Sequence, residues 1–159
     1  ILFDPLMIKI LRDAPHANCL ALDSHKLGEE EIKVIVNRKN QITELSKTCS
    51  IEKAIGESIG IEKISHAYLL ALHEELEHMI LHEKLDNVFY ELAFERLIAR
   101  GQYFYPVDTS AYFSMELDTP EDFHDAINRI PKHLKHENCT ILRTKIRDKY
   151  FTTSRSRGQ

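Results

Sequence analysis

The chain has 159 residues, 43% of them hydrophobic and 29% charged, with a net charge of −4. That length supports one domain with a real core, and no apolar run approaches the roughly 20 residues that cross a membrane. Before Pro131 thirteen Lys and Arg stand against twenty-three acidic residues, and from there on eight against two; so acidic a body excludes a general nucleic-acid surface, which is expected to be basic.

Cys19, Cys49 and Cys139 are odd in number and form no CxxC pair, which points to a reduced, cytoplasmic setting. "ILFDPLMIKILRD" lacks a basic start and is broken by charge, so it is not a signal peptide. It begins with Ile in what reads as packed structure, and we expect a fragment or a processed piece.

In chain order, a strand stub leads into "PLMIKILRDA" (5–14), a short amphipathic helix. "NCLALD" (18–23) reads as a buried strand. "IKVIVN" (32–37) and "QITELS" (41–46) flank "NRKN", whose polar residues suit a tight turn, and so predict a hairpin. "ESIGIEKI" (57–64) is a strand with a glycine inside it, where a backbone or ligand comes close. The longest helix is "SHAYLLALHEELEHMILHEK" (65–84), with Leu69, Leu72, Leu76, Met79 and Ile80 as its apolar stripe. A second helix over 87–100 ends at Gly101.

"YFYPVD" and "AYFSMELD" then read as strands. Thr119 caps the helix 119–130, Pro120 suits its first position, and Asp122 reaches back to the cap. Phe123, Ala126, Ile127 and Ile130 recur at helical spacing and would face a core. The stretch 132–159 reads as a basic tail or linker. Alternating strands and helices favour an α/β layer architecture.

Several motifs are excluded. "HEELEH" has one residue too many for HExxH, since His73 and His78 are five apart. His78 and His82 do have a shared-metal spacing, but they lie opposite the apolar stripe and read as a solvated face. "GESIG" is not GxGxxG, and GK[ST] does not occur.

Two carboxylates remain. Glu91 shares a helical face with Phe94 and Ile98; it is either functional or a rim glutamate paired to a Lys or Arg, because burying a lone charge is costly. Asp118 stands where a strand-like stretch meets a helix start. Ligands of open α/β sheets gather beyond the carboxyl ends of strands, and Mg²⁺ accepts one or two protein carboxylates there, with phosphate and water completing its shell.

Taken in order, "ILFDP", "EEEIKVIVNRKNQITELSK", "GESIGIEKIS", "FYELAFERLI" and "MELDTPEDFHDA" resemble the sugar-phosphate nucleotidyltransferase family, and most closely its choline-phosphate cytidylyltransferase-like branch. The resemblance covers residues 1–131. It implies a partial Rossmann-like mixed sheet with flanking helices, of the nucleotide-diphospho-sugar transferase type. By the same resemblance Lys47 holds the acceptor's phosphate, Glu57 and Gly60 wall the acceptor pocket, Tyr90 and Glu91 form the family's Tyr-Glu pair, and Asp118 binds the catalytic Mg²⁺. Tyr112 would join Tyr90 and Glu91 in cation–π contact with an ammonium head group.

The family's Gly-rich nucleotide-binding loop, expected upstream, does not occur in this sequence. Asp4 falls after the position of the family's other metal-binding Asp and is not taken for it. The chain therefore reads as the acceptor-side, C-terminal part of a nucleotidyltransferase domain. The resemblance implies that the complete enzyme transfers a nucleotidyl group, from CTP by preference, to phosphocholine or an aminophosphonate and releases pyrophosphate. The alternatives are a hexose-1-phosphate acceptor and a non-catalytic module kept for assembly or regulation. The expected partners are the nucleoside triphosphate and a small phosphorylated acceptor, with no nucleic acid or membrane, and with a homodimer or a fused further domain as the larger assembly.

Overall fold

The computed structural model describes residues 1–135, and the chain divides into two compact units, Phe3–Ser114 and a second formed by Ile1–Leu2 with the chain from Met115 onward. A two-residue strand, β1 (Leu2–Phe3), opens the chain and precedes α1 (Leu6–Asp13). The first unit is built on a five-stranded sheet of β2 (Cys19–Asp23), β3 (Lys33–Val36), β4 (Ile42–Ser46), β5 (Gly56–Lys63) and β6 (Tyr105–Asp108), in the order β4-β3-β5-β2-β6. β2 runs parallel to β6 and antiparallel to β5, while β3 is antiparallel to both β4 and β5. This is the mixed, helix-flanked α/β sheet that the sequence predicts.

The apolar run of β2 is buried on both faces, and its alternation sorts the core. Leu20 and Leu22 join Val34, Leu45, Tyr68, Phe94 and Phe104, whereas Cys19 and Ala21 join Met7, Leu11 and Ile59. Helices α2 (His66–Glu77) and α3 (Glu91–Ala99) therefore cover one face and α1 the other. Successive side chains of a strand point to opposite faces, so the register fixes what each face presents. Asp23 lies opposite Glu57, Glu57 opposite Lys33, and Lys33 opposite Ser46, one row on the α1 side. Glu62 lies opposite Leu20, on the α2–α3 side. Between these pairs the ladder bulges, and Gly60 takes φ +73°, a backbone state that suits glycine.

The hairpin is as expected. Asn37 N–H donates to Gln41 O at 2.9 Å, and Asn40 carries the positive φ of the turn. The long helix differs from expectation: α2 ends at Glu77 and a π-helical turn, His78–His82, follows. Its buried positions are Tyr68, Leu72, Glu75 and Met79, while Leu69 and Ile80 are each 48% exposed. The stripe is displaced because Glu75 is drawn inward by Arg96 and Arg100. Burial pushes the Glu75 carboxyl up, but the two guanidinium groups outweigh it and hold it below the usual glutamate range.

α3 begins at Glu91 rather than 87 and closes at Gly101, whose φ is positive. In place of the expected strand "AYFSMELD" only β7 (Ser114–Met115) forms. In the second unit α4 (Pro120–Arg129) has the expected capping box of Thr119 and Asp122. Its apolar face differs: Ala126 is buried, but Phe123 and Ile127 are exposed. A short 3₁₀ turn, Lys132–Leu134, follows; the rest of the basic stretch and Cys139 lie outside the described residues. Cys19 and Cys49 are buried free thiols. Among the described residues no helix is long and apolar enough to cross a membrane.

Gly56 lets β5 press against β2, since a Cβ there would overlap the Asp23 carbonyl oxygen, a backbone atom that cannot move aside. Gly56→Ala should therefore lower stability by about 1–3 kcal/mol, the usual cost of overpacking. Urea unfolding of the variant beside wild type measures it, and an unchanged midpoint would show that the strands separate at no cost.

Candidate functional site

Lys47 follows the end of β4, and its position is fixed through the backbone. The Lys33 ammonium, only 1% exposed, donates to the carbonyls of Lys47 at 2.6 Å, Glu29 at 2.9 Å and Glu31 at 3.2 Å. The Lys47 ammonium itself stands 4.6 Å from the centre of the Phe89 ring and 3.2 Å from Glu30 Oε2. Glu30 is largely solvated, so that pair is a weak competitor for an anion.

The carboxylates near Lys47 are of another kind. Glu91, the first residue of α3, is 8% exposed, and its Oε2 is buried without a hydrogen-bond partner. Burial pushes the Glu91 carboxyl up, with its own backbone N–H and the charge of Lys47 pulling the other way. Glu62 of β5 is also pushed up, first by burial and further by the charge of Glu91, against a hydrogen bond from Tyr90. That bond runs from Tyr90 Oη to Glu62 Oε1 at 3.1 Å. Burial and the two carboxylates raise the Tyr90 phenol as well. Gly60 keeps the space beside this hydroxyl open: Tyr90 Oη is the nearest atom, 3.9 Å from where a Cβ would stand.

Lys47, Gly60, Tyr90 and Glu91 thus lie in one neighbourhood. Glu62 and Phe89 belong to the same group and were missed in the sequence. Glu62 was legible in principle, because it shares the pleat face of Gly60, two residues away. The structure does not bring Glu57 or Tyr112 to this group. Glu57 is an odd number of residues from Gly60 and points to the α1 side, beside Asp23 and His25. Tyr112 packs on the α1-side cluster and lines a surface cleft of about 600 Å³ with Leu6, Lys9, Ile10 and His16.

Asp118 stands in the second unit, on the connection after β7 rather than at a strand end. Asp122 does the capping there. Its Oδ2 accepts from the backbone N–H groups of Asp118 and Thr119 and from the Thr119 hydroxyl. The Asp118 carboxylate is therefore spared from the cap, and a single exposed carboxylate of this kind fits the donor set of Mg²⁺. His78 and His82 are exposed, with ring centres 5.4 Å apart and His78 Nε2 3.1 Å from Glu83.

No protein-family model matches the chain, and no curated protein is similar to it in sequence. Among solved structures it is similar to the inositol-1-phosphate CTP transferase from T. maritima, with a TM-score of 0.56 and 15% identity. The match covers 92% of this chain and 53% of that one, so the chain spans about half the length of the enzyme it resembles. The likeness is one of fold: the mixed sheet and its flanking helices resemble those of that enzyme.

The orphan carboxylate has a thermodynamic signature. Folded Glu91 and Glu62 hold protons more readily than the unfolded chain, so they support the fold as pH falls toward the ordinary glutamate range. They cost stability as pH rises through their raised values. Glu91→Leu removes a buried unsatisfied group worth about 1–3 kcal/mol and loses a helix-N-terminal charge worth about 0.3–1 kcal/mol. The first wins, and the variant should be more stable than wild type at neutral pH, with the gap narrowing toward about pH 5. Denaturant melts across that range test it; a less stable variant at neutral pH would mean that the carboxylate is paired.

Proposed function

We propose that the chain is the acceptor-side part of a nucleotidyltransferase, and that the complete enzyme transfers a cytidylyl group to a small acceptor bearing both a phosphate or phosphonate and an ammonium group. The observation that carries this reading is the meeting of opposite charges in one place. A lysine ammonium held through its backbone stands near a buried, unpartnered carboxylate and a second carboxylate under a tyrosine hydroxyl. A zwitterion such as phosphocholine or an aminophosphonate satisfies both ends. The name of the T. maritima enzyme, with CTP as donor and a phosphorylated acceptor, supports the reaction class.

In this mechanism Lys47 binds the acceptor's phosphate as a point charge and orients one of its oxygens. Glu91 and Glu62 take the ammonium group by charge, and Tyr90 adds its ring face. Held so, the acceptor oxygen attacks the α-phosphorus of the triphosphate, the new P–O bond forms, and pyrophosphate leaves with the electron pair of the broken bond. No covalent enzyme intermediate is needed, because positioning and charge carry the catalysis. Asp118 is the residue we assign to Mg²⁺, an ion that neutralises the phosphates when bound. In this reading the enzyme works in the cytoplasm, without nucleic acid or membrane partners.

A second reading keeps the reaction and changes the acceptor. The inositol-1-phosphate in the neighbour's name favours a polyol or hexose phosphate, whose hydroxyls would donate to Glu62 and Glu91.

Pyrophosphate release from CTP, Mg²⁺ and phosphocholine, with the protein of the complete reading frame, tests the proposal. Asp118→Asn should lower kcat by about 10²–10³ while leaving the acceptor KM nearly unchanged. Lys47→Ala should raise that KM. Near-normal turnover of Asp118→Asn at saturating Mg²⁺ would remove the metal role, and no release with any phosphorylated acceptor would contradict the transferase reading.

A further inference from the structure

On the α1 side of the sheet, the face opposite to Glu62, three potential metal ligands converge. Asp23 ends β2, His25 follows two residues later, and Glu57 stands on β5 directly opposite Asp23. His25 Nδ1 is 3.5 Å from Asp23 Oδ1 and 3.5 Å from Glu57 Oε1, and one ligand atom of each residue lies within 4.8 Å of the others. We propose that Asp23, His25 and Glu57 form a binding site for a first-row divalent metal ion of the zinc type.

The spacing is that of a coordination sphere. An ion bound at about 2.0–2.1 Å by nitrogen and oxygen in tetrahedral geometry holds its neighbouring ligands about 3.4 Å apart, and two of the three edges are already there. Two of the ligands are set by the sheet: Asp23 and Glu57 are register partners on adjacent strands, and Gly56 lets β5 approach the Asp23 backbone closely. Their side chains are about a quarter exposed and that of His25 43%, so the site is partly shielded and open on one side. Three protein ligands leave a fourth position for water or a small ligand.

Charge and ligand type choose the ion. With a neutral imidazole the trio carries two negative charges, and Glu31 adds its field at His25. Lys33 belongs to the same cross-strand row, but its ammonium donates to three backbone carbonyls. An imidazole nitrogen suits zinc, cobalt or nickel, whereas Mg²⁺ prefers oxygen and retains its water. The His78–His82 pair is a poorer candidate. The carboxylate beside it, Glu83, is gripped by Arg96 through two hydrogen bonds of 2.8 Å.

The test uses the untagged chain and the metal alone. Co²⁺ should bind with one-to-one stoichiometry, show the visible absorption of an imidazole-ligated ion, and be displaced by Zn²⁺ but not by equal Mg²⁺. His25→Ala and the near-isosteric Glu57→Gln should each weaken Zn²⁺, read by competition with a chromophoric chelator, by at least about tenfold. His78→Ala should bind as wild type does. Absence of saturable binding, or binding that survives His25→Ala and Glu57→Gln yet fails in His78→Ala, would overturn the proposal. In that case His25 is only an ion-pair partner of two carboxylates.

Discussion

Strand β2 is the constraint on which the first unit depends. Four of its five residues, Cys19, Leu20, Ala21 and Leu22, are buried, and the strand is bordered by β5 on one side and β6 on the other. A strand in that position must be apolar throughout, and "CLAL" is. Its two faces then recruit different helices, and its end delivers Asp23 to the α1 side. Because the period of a strand is two, the same register decides which acidic residues can share a site. Glu62 goes with Glu91, and Glu57 goes with Asp23. One backbone pairing thus generates two chemically distinct neighbourhoods.

The neighbourhood on the α2–α3 side is costly to the fold. A buried carboxyl, a half-buried one and a partly exposed phenol meet there, and all three are displaced toward their neutral forms. Pairing would have relieved this, as it does for Glu75 between Arg96 and Arg100 a short way along the helices. The contrast matters. The same chain that satisfies one buried glutamate with two arginines leaves another with an empty oxygen, and perturbed groups of that kind cluster at functional sites.

Much of this was legible in the sequence, wherever the signal was local. The β3–β4 turn, the glycine inside β5, the Thr119–Asp122 cap and the burial of "CLAL" all depend on residues close in the chain. The buried stripe of α2 was misjudged because it includes Glu75, whose partners lie on α3 and could not be seen from α2 alone. The capped helix was likewise read by period, yet Phe123 and Ile127 are exposed. Within the site, Lys47, Gly60, Tyr90 and Glu91 were named from the resemblance. The resemblance names Glu57 beside Gly60 as well, but the two are three residues apart on β5, so the strand turns their side chains to opposite faces. Glu62 has no local signal of its own, because a glutamate near the end of a strand looks like any solvated one. The convergence of Asp23, His25 and Glu57 needed the β2–β5 register, which no local pattern contains.

The proposed site of Lys47, Tyr90, Glu91 and Glu62 would recognise a phosphate and a positive charge together. Calorimetric titration of the chain with phosphocholine, beside its neutral isostere in which carbon replaces the quaternary nitrogen, isolates that charge. The two ligands share shape and phosphate, so their difference in affinity reports the carboxylates. Phosphocholine should bind at least about tenfold tighter, about 1.4 kcal/mol, with the advantage lost in Glu91→Gln. Equal affinity for the two ligands would contradict it.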